Sequence, residues 1–94
     1  MKFAVLISVR KDANADVLRQ LSAAKARVVL DFYYRGVLEN MFHRADLPGA
    51  VAIMQAASQE DLQQELVKLP LYQYANVEII PIRPYDGYEA LWVQ

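Results

Sequence analysis

A single histidine, His43, stands in a chain of 94 residues that contains no cysteine. An imidazole titrates near neutrality, so it can take a proton from a carbon beside a carbonyl and carry it elsewhere. Glu39 and Glu78 lie in strand-like segments, where burial would lift a carboxyl into the range of a general base. Tyr33, Tyr34, Tyr72 and Tyr74 can line a pocket and donate O–H bonds to a carbonyl oxygen. The same residue types also have plain structural uses: an imidazole at a strand end, edge charges that discourage sheet-to-sheet aggregation, and tyrosines at an interface. Lys25 and Arg27 read as the solvated face of a helix, and Met41 and Met54 as core filling. Other chemistries lack their parts. There is no Gly-rich phosphate loop and no H-E-x-x-H, and no Ser-His-Asp set can be assigned. One histidine without cysteines leaves a dedicated metal site short of ligands. The expectation is a small-molecule ligand and no cofactor.

These residues need elements to hold them. Lys2–Arg10 is rich in β-branched residues and predicts a strand with Phe3, Val5, Ile7 and Val9 on one face. Asn14 can cap a helix of about twenty residues, with Val17, Leu21, Ala24, Val28 and Phe32 at helical spacing and Gly36 as its stop. Residues 37–45 predict a second strand, in which strict alternation puts Glu39, Met41 and His43 on one face. Pro48-Gly49 marks a turn, and residues 50–57 predict the hairpin partner. Ser58 and Asp61 fit a capping box before a helix striped by Leu62, Leu66 and Leu69, ended by Pro70. Residues 76–82 predict a fourth strand, with Pro81 at an edge or bulge. The order is βαββαβ, a ferredoxin-like α+β domain over residues 1–83: four antiparallel strands with two helices on one face. Residues 84–94 form an aromatic tail with Tyr85, Tyr88 and Trp92.

Both helices can cover only one face of such a sheet, yet the first, third and fourth predicted strands are apolar on both. Hydrophobic residues make up 55% of the chain, above the usual ~45–50%. An uncovered face of several hundred Å² is rare in a monomer. A homodimer or larger homo-oligomer is therefore expected, with the tail as a clasp on the neighbouring subunit. Net charge of −1 argues against a nucleic-acid partner. The run Phe3–Val9 is short, and basic Arg10 and Lys11 follow it, the wrong order for a signal peptide. No run approaches the ~18 apolar residues of a membrane span. The expectation is a cytoplasmic protein with no membrane partner.

The segment "KLPLYQYANVEIIPI" is apolar where a loop should be polar. Through Leu69, Pro70, Leu71, Tyr72, Tyr74, Val77 and Glu78 it resembles the "LPLFPYMDIEV"-like signature of the muconolactone isomerase family. Ser58, Glu60 and Leu62 fit the same pattern, and the resemblance runs over about residues 1–83. It implies a dimeric α+β barrel, sometimes assembled into larger rings. The implied reaction shifts a double bond in an unsaturated lactone without metal or organic cofactor. The chain departs from the pattern at polar positions. Ala4 stands where the family often has His, and Lys25 where it often has Glu. "LENMFH", Leu38–His43, stands for a "WRHLWR"-like strand, so Glu39 replaces an Arg and Asn40 a His. The muconolactone substrate therefore does not carry over with the fold. His43 and Glu39 are the candidate proton carriers, and Tyr33, Asn40, Tyr72 and Tyr74 the candidate ligand contacts. A non-catalytic binding or assembly module, or a cofactor-free oxygenase or cyclase, fits the same architecture, since fold does not choose chemistry. The apolar loop is expected at a pocket rim or subunit interface.

Overall fold

The computed structural model describes residues 1–92. Four strands, β1 (Lys2–Val9), β2 (Leu38–His43), β3 (Gly49–Gln55) and β4 (Ala75–Ile82), form one sheet in the order β2-β3-β1-β4, every neighbour antiparallel. This is the expected ferredoxin-like α+β topology. It makes β4 an edge strand, where Pro81, with no amide hydrogen to donate, is tolerated.

The expected long first helix is two helices, α1 (Ala15–Gln20) and α2 (Ser22–Tyr34). Asn14 caps α1 as its type predicts, its Oδ1 accepting from the amides of Asp16 (2.8 Å) and Val17 (3.3 Å). The break comes at Leu21, whose amide is shared between the carbonyls of Val17 and Leu18, both at 3.2 Å. Gly36 ends α2 with φ of 74°, a left-handed backbone that other residues adopt at a cost. The amides of Gly36 and Val37 turn back to the carbonyls of Tyr33 (3.2 Å) and Phe32 (2.9 Å), a Schellman closure. The third helix, α3 (Gln59–Leu66), starts where Ser58 Oγ accepts from the Asp61 amide at 3.1 Å.

Strict alternation in β1 sends Phe3, Val5 and Ile7 under the helices. Ala50, Ala52 and Met54 of β3 lie beside them, and Phe32, Leu62, Leu66 and Leu69 close the core from above. Each fully buried large side chain contributes about 1.5–3 kcal/mol. Arg35 joins the two helices at the surface: its guanidinium donates to Asp31 (2.8 Å) and to Glu65, which also accepts from Lys68 at 2.7 Å. Desolvation raises the Glu65 carboxyl, but the hydrogen bonds from Arg35 and Lys68 outweigh it and leave the group below its ordinary value.

Among the described residues no helix roofs the second face of the sheet. Ala4, Leu6, Val51, Ile53, Phe42, Ile80 and Ile82 point to it, with Phe42 60% exposed. Beyond β4 the chain makes a short 3-10 turn over Gly87–Leu91, and Tyr85, just before it, meets Tyr88 edge to face at 4.7 Å. Tyr88 at 65% and Trp92 at 79% keep most of their surface in solvent. The last two residues of the 84–94 tail lie outside the described residues. The radius of gyration, 15.6 Å, exceeds the roughly 12 Å of a compact chain this long. Among the described residues, no helix is long and apolar enough to cross a membrane.

Candidate functional site

β2 does not alternate strictly. Leu38 pairs with Met54 and Asn40 with Ile53, so Glu39 is one residue too many and forms a β-bulge. The bulge resets the faces. Leu38 enters the core, and beyond the bulge Met41 pairs with Ala52 and His43 with Ala50, so both point to the helix side. Asn40 and Phe42 point the other way. The shared face expected for Glu39, Met41 and His43 is therefore corrected: Glu39 lies across the sheet from His43. There its carboxylate pairs with Lys2 Nζ at 3.2 Å and accepts from Gln55. Glu78 shares that face, beside Leu6, in a hollow also lined by Ser8, Arg44 and Asn76.

On the helix side a cavity of about 230 Å³ opens between the sheet and the loop that follows α3. Its floor is Ile7, Val9, Ala50 and Val77, and its rim is Leu69, Leu71 and Tyr72. The backbone tightens at the end of the rim. Tyr72 and Tyr74 donate their amides to Leu69 and Leu71 at 3.0 and 2.9 Å, making a single 3-10 turn before β4. The apolar loop is thus a pocket rim. Gly49 opens the opposite wall; a Cβ there would lie 2.0 Å from the Ile7 carbonyl oxygen.

Three polar side chains reach this cavity: Lys25, His43 and Tyr72. Among the described residues no carboxylate lines it. Asp46, an acid close to His43 in sequence, is engaged by Arg44, whose Nε and Nη2 donate at 3.0 and 2.8 Å. That hydrogen bond holds Asp46 below the ordinary carboxylate range and Arg44 above its own. Among the described residues His43 makes no side-chain hydrogen bond. An adjoining hollow of about 290 Å³, lined by Val29, Tyr33 and Phe42, shares the Lys25, Met41 and His43 wall. Tyr33 thus stands next to the site, and Tyr72 in it. Tyr74 is half-buried outside the cavity, its carbonyl accepting from the Arg10 amide at 2.8 Å. Asn40 is exposed on the far face. Among the described residues no cluster of three His, Asp or Glu could hold a metal ion.

Lys25 is the site residue that reading by residue type missed. It was assigned to a solvated face, yet it falls four residues after Leu21 and seven before Phe32, on the inward stripe of the helix. That spacing was the available signal.

Comparison with known proteins adds to the geometry. The family model described as muconolactone delta-isomerase matches residues 1–87. A search of curated proteins found no match. A crystal structure of muconolactone isomerase superposes with a TM-score of 0.78 at 20% identity, over 93% of each chain. A 5-chloro-2-hydroxyhydroquinone dehydrochlorinase from Burkholderia phenoliruptrix AC1100, in complex with 2,5-dihydroxybenzoquinone, superposes with a TM-score of 0.63 at 17% identity. That match spans 95% of this chain and 98% of that one. At these identities the likeness is one of fold.

Proposed function

The chain belongs to the muconolactone delta-isomerase family, and from that premise we propose that it moves a carbon–carbon double bond in a small unsaturated lactone or related carbonyl compound, without a cofactor. The observation that carries this reading is the apolar cavity whose polar groups are His43, Tyr72 and Lys25. His43 removes a proton from a carbon adjacent to the conjugated carbonyl system. The electron pair of that C–H bond flows into the carbonyl, giving an enolate. The Tyr72 hydroxyl donates to the enolate oxygen, which stabilises charge that is small in the ground state and large in the transition state. The imidazolium then returns the proton at a distant carbon. The double bond has moved, no electrons are lost or gained, and the enzyme ends as it began. An apolar wall favours this by excluding water that would compete for those hydrogen bonds.

Among the other candidates, Tyr33 flanks the ligand from the adjoining hollow. Glu39 and Asn40 belong in this reading to the face turned toward a neighbouring subunit. Tyr74 helps hold the rim. A non-catalytic binding module is the second reading, favoured by one observation: among the described residues no hydrogen-bond partner orients the His43 ring. The two separate in deuterated water. With a panel of small unsaturated lactones as probes, an isomerase yields product carrying solvent deuterium at the carbon that receives the proton. Absence of both conversion and exchange across the panel, with the protein folded, would eliminate the isomerase.

The assembly is part of the same reading. The open sheet face and the projecting aromatic tail fit a homo-oligomer in which sheets stack and each tail clasps a neighbour. Aromatic anchors at interfaces commonly contribute 2 kcal/mol or more, so removing residues 84–94 is expected to raise the dissociation constant about tenfold or more. Sedimentation across a concentration series reads this directly. A folded intact chain that sediments as a monomer at micromolar concentration would end the assembly proposal.

A further inference from the structure

We propose that Lys25 makes this cavity a site for small, flat anions, with its ammonium group holding a carboxylate or phenolate oxygen of the ligand. The inference rests on reading the cavity as the ligand site; it adds the charge of what enters. Three observations carry it. First, Lys25 borders three adjoining hollows on the helix side, so its side chain lies where they meet. Second, it sits on the inward stripe of α2, half-buried, among mostly apolar lining residues. Third, among the described residues it is in none of the ion pairs.

The acids that might have paired with Lys25 are committed elsewhere. Asp46 is held by Arg44, Glu39 by Lys2 on the other side of the sheet, and Glu65 by Arg35 and Lys68. A half-buried cation beside an apolar chamber, with no acid among the described residues of its walls, gains most from an anion brought by the ligand. The cavity limits size. An apolar void of about 150 Å³ accepts benzene, so 230 Å³ holds one ring with a short substituent. The ligand is then a single ring or short conjugated chain bearing one anionic oxygen group. That group meets Lys25, and the reacting carbons lie toward His43 and Tyr72.

Benzoate and benzamide, alike in shape and different in charge, test this without any turnover. Titrations followed by NMR should show benzoate binding about tenfold to a hundredfold more tightly than benzamide, as hydrogen bonds to charged groups allow. The His43 and Tyr72 ring signals should shift as it binds. Lys25→Met should erase the preference, and Lys25→Arg should keep it. A Lys25→Met protein that still prefers benzoate overturns the proposal. So does wild-type protein showing no saturable benzoate binding at millimolar concentration. If Lys25-dependent binding is seen and no lactone is isomerised, the isomerase reading fails and this one stands.

Discussion

His43→Ala is expected to lower the rate of double-bond isomerisation by about 10²–10⁴-fold, the range for loss of a positioned general base. The size of the effect follows from the inventory of the cavity. Tyr72 and Lys25 are its other polar side chains among the described residues, and a phenol or an ammonium group is a poorer base for an α-proton than an imidazole. Stability should change little, because the imidazole is exposed and, among the described residues, makes no side-chain hydrogen bond to lose. Deuterium exchange into the substrate should fall in parallel with turnover, and added imidazole should restore part of both. Retention of near-wild-type exchange in the alanine variant would remove His43 from the mechanism and turn attention to Tyr72.

Gly49→Ala is expected to destabilise the fold by about 3 kcal/mol, combining overpacking with lost strand hydrogen bonds. Gly49 opens β3 opposite Ser8. Its added Cβ would stand 2.0 Å from the Ile7 carbonyl oxygen and 3.1 Å from the Ser8 Cα, and both atoms are backbone. β1 cannot give way, since it is held between β3 and β4 along its length. β3 would have to peel from β1 at its first residue. The bonds from the Val9 amide to Pro48 (2.9 Å) and from the Arg44 amide to Gly49 (3.0 Å) lie in that corner. For a domain with 5–15 kcal/mol in hand, the unfolding midpoint should drop by roughly 10 °C or more. Denaturant titration within 1 kcal/mol of the parent would mean that the two backbones approach less closely than described.

Much of this architecture was legible in the sequence because its signals are local. Phe3, Val5 and Ile7 alternate without interruption, so their face could be read directly. Asn14, Ser58 and Gly36 each act within a few residues, and each does in the structure what its type predicts. What could not be read depends on pairing across the chain. Nothing in "LENMFH" marks Glu39 as surplus; the bulge exists only against Met54 and Ile53. The face of His43 was therefore misassigned relative to Glu39. Lys25 was lost for a different reason: residue type outweighed spacing, and a long side chain can obey both. The cavity itself needed the rim at Leu69–Tyr72, which ends in a 3-10 turn with no strong sequence mark. The cavity lies within one chain, between its own sheet and the loop after α3, so the apolar loop serves as a rim there.

The surplus residue in β2 also bears on how this protein should be lined up with its kin. A strand lacking position 39 would run Leu38, Asn40, Met41, Phe42, His43 with unbroken alternation, and would present the same imidazole to the same hollow. A relative one residue shorter here would keep that face, and columns drawn against it without a gap would pair unlike positions on one side of Glu39.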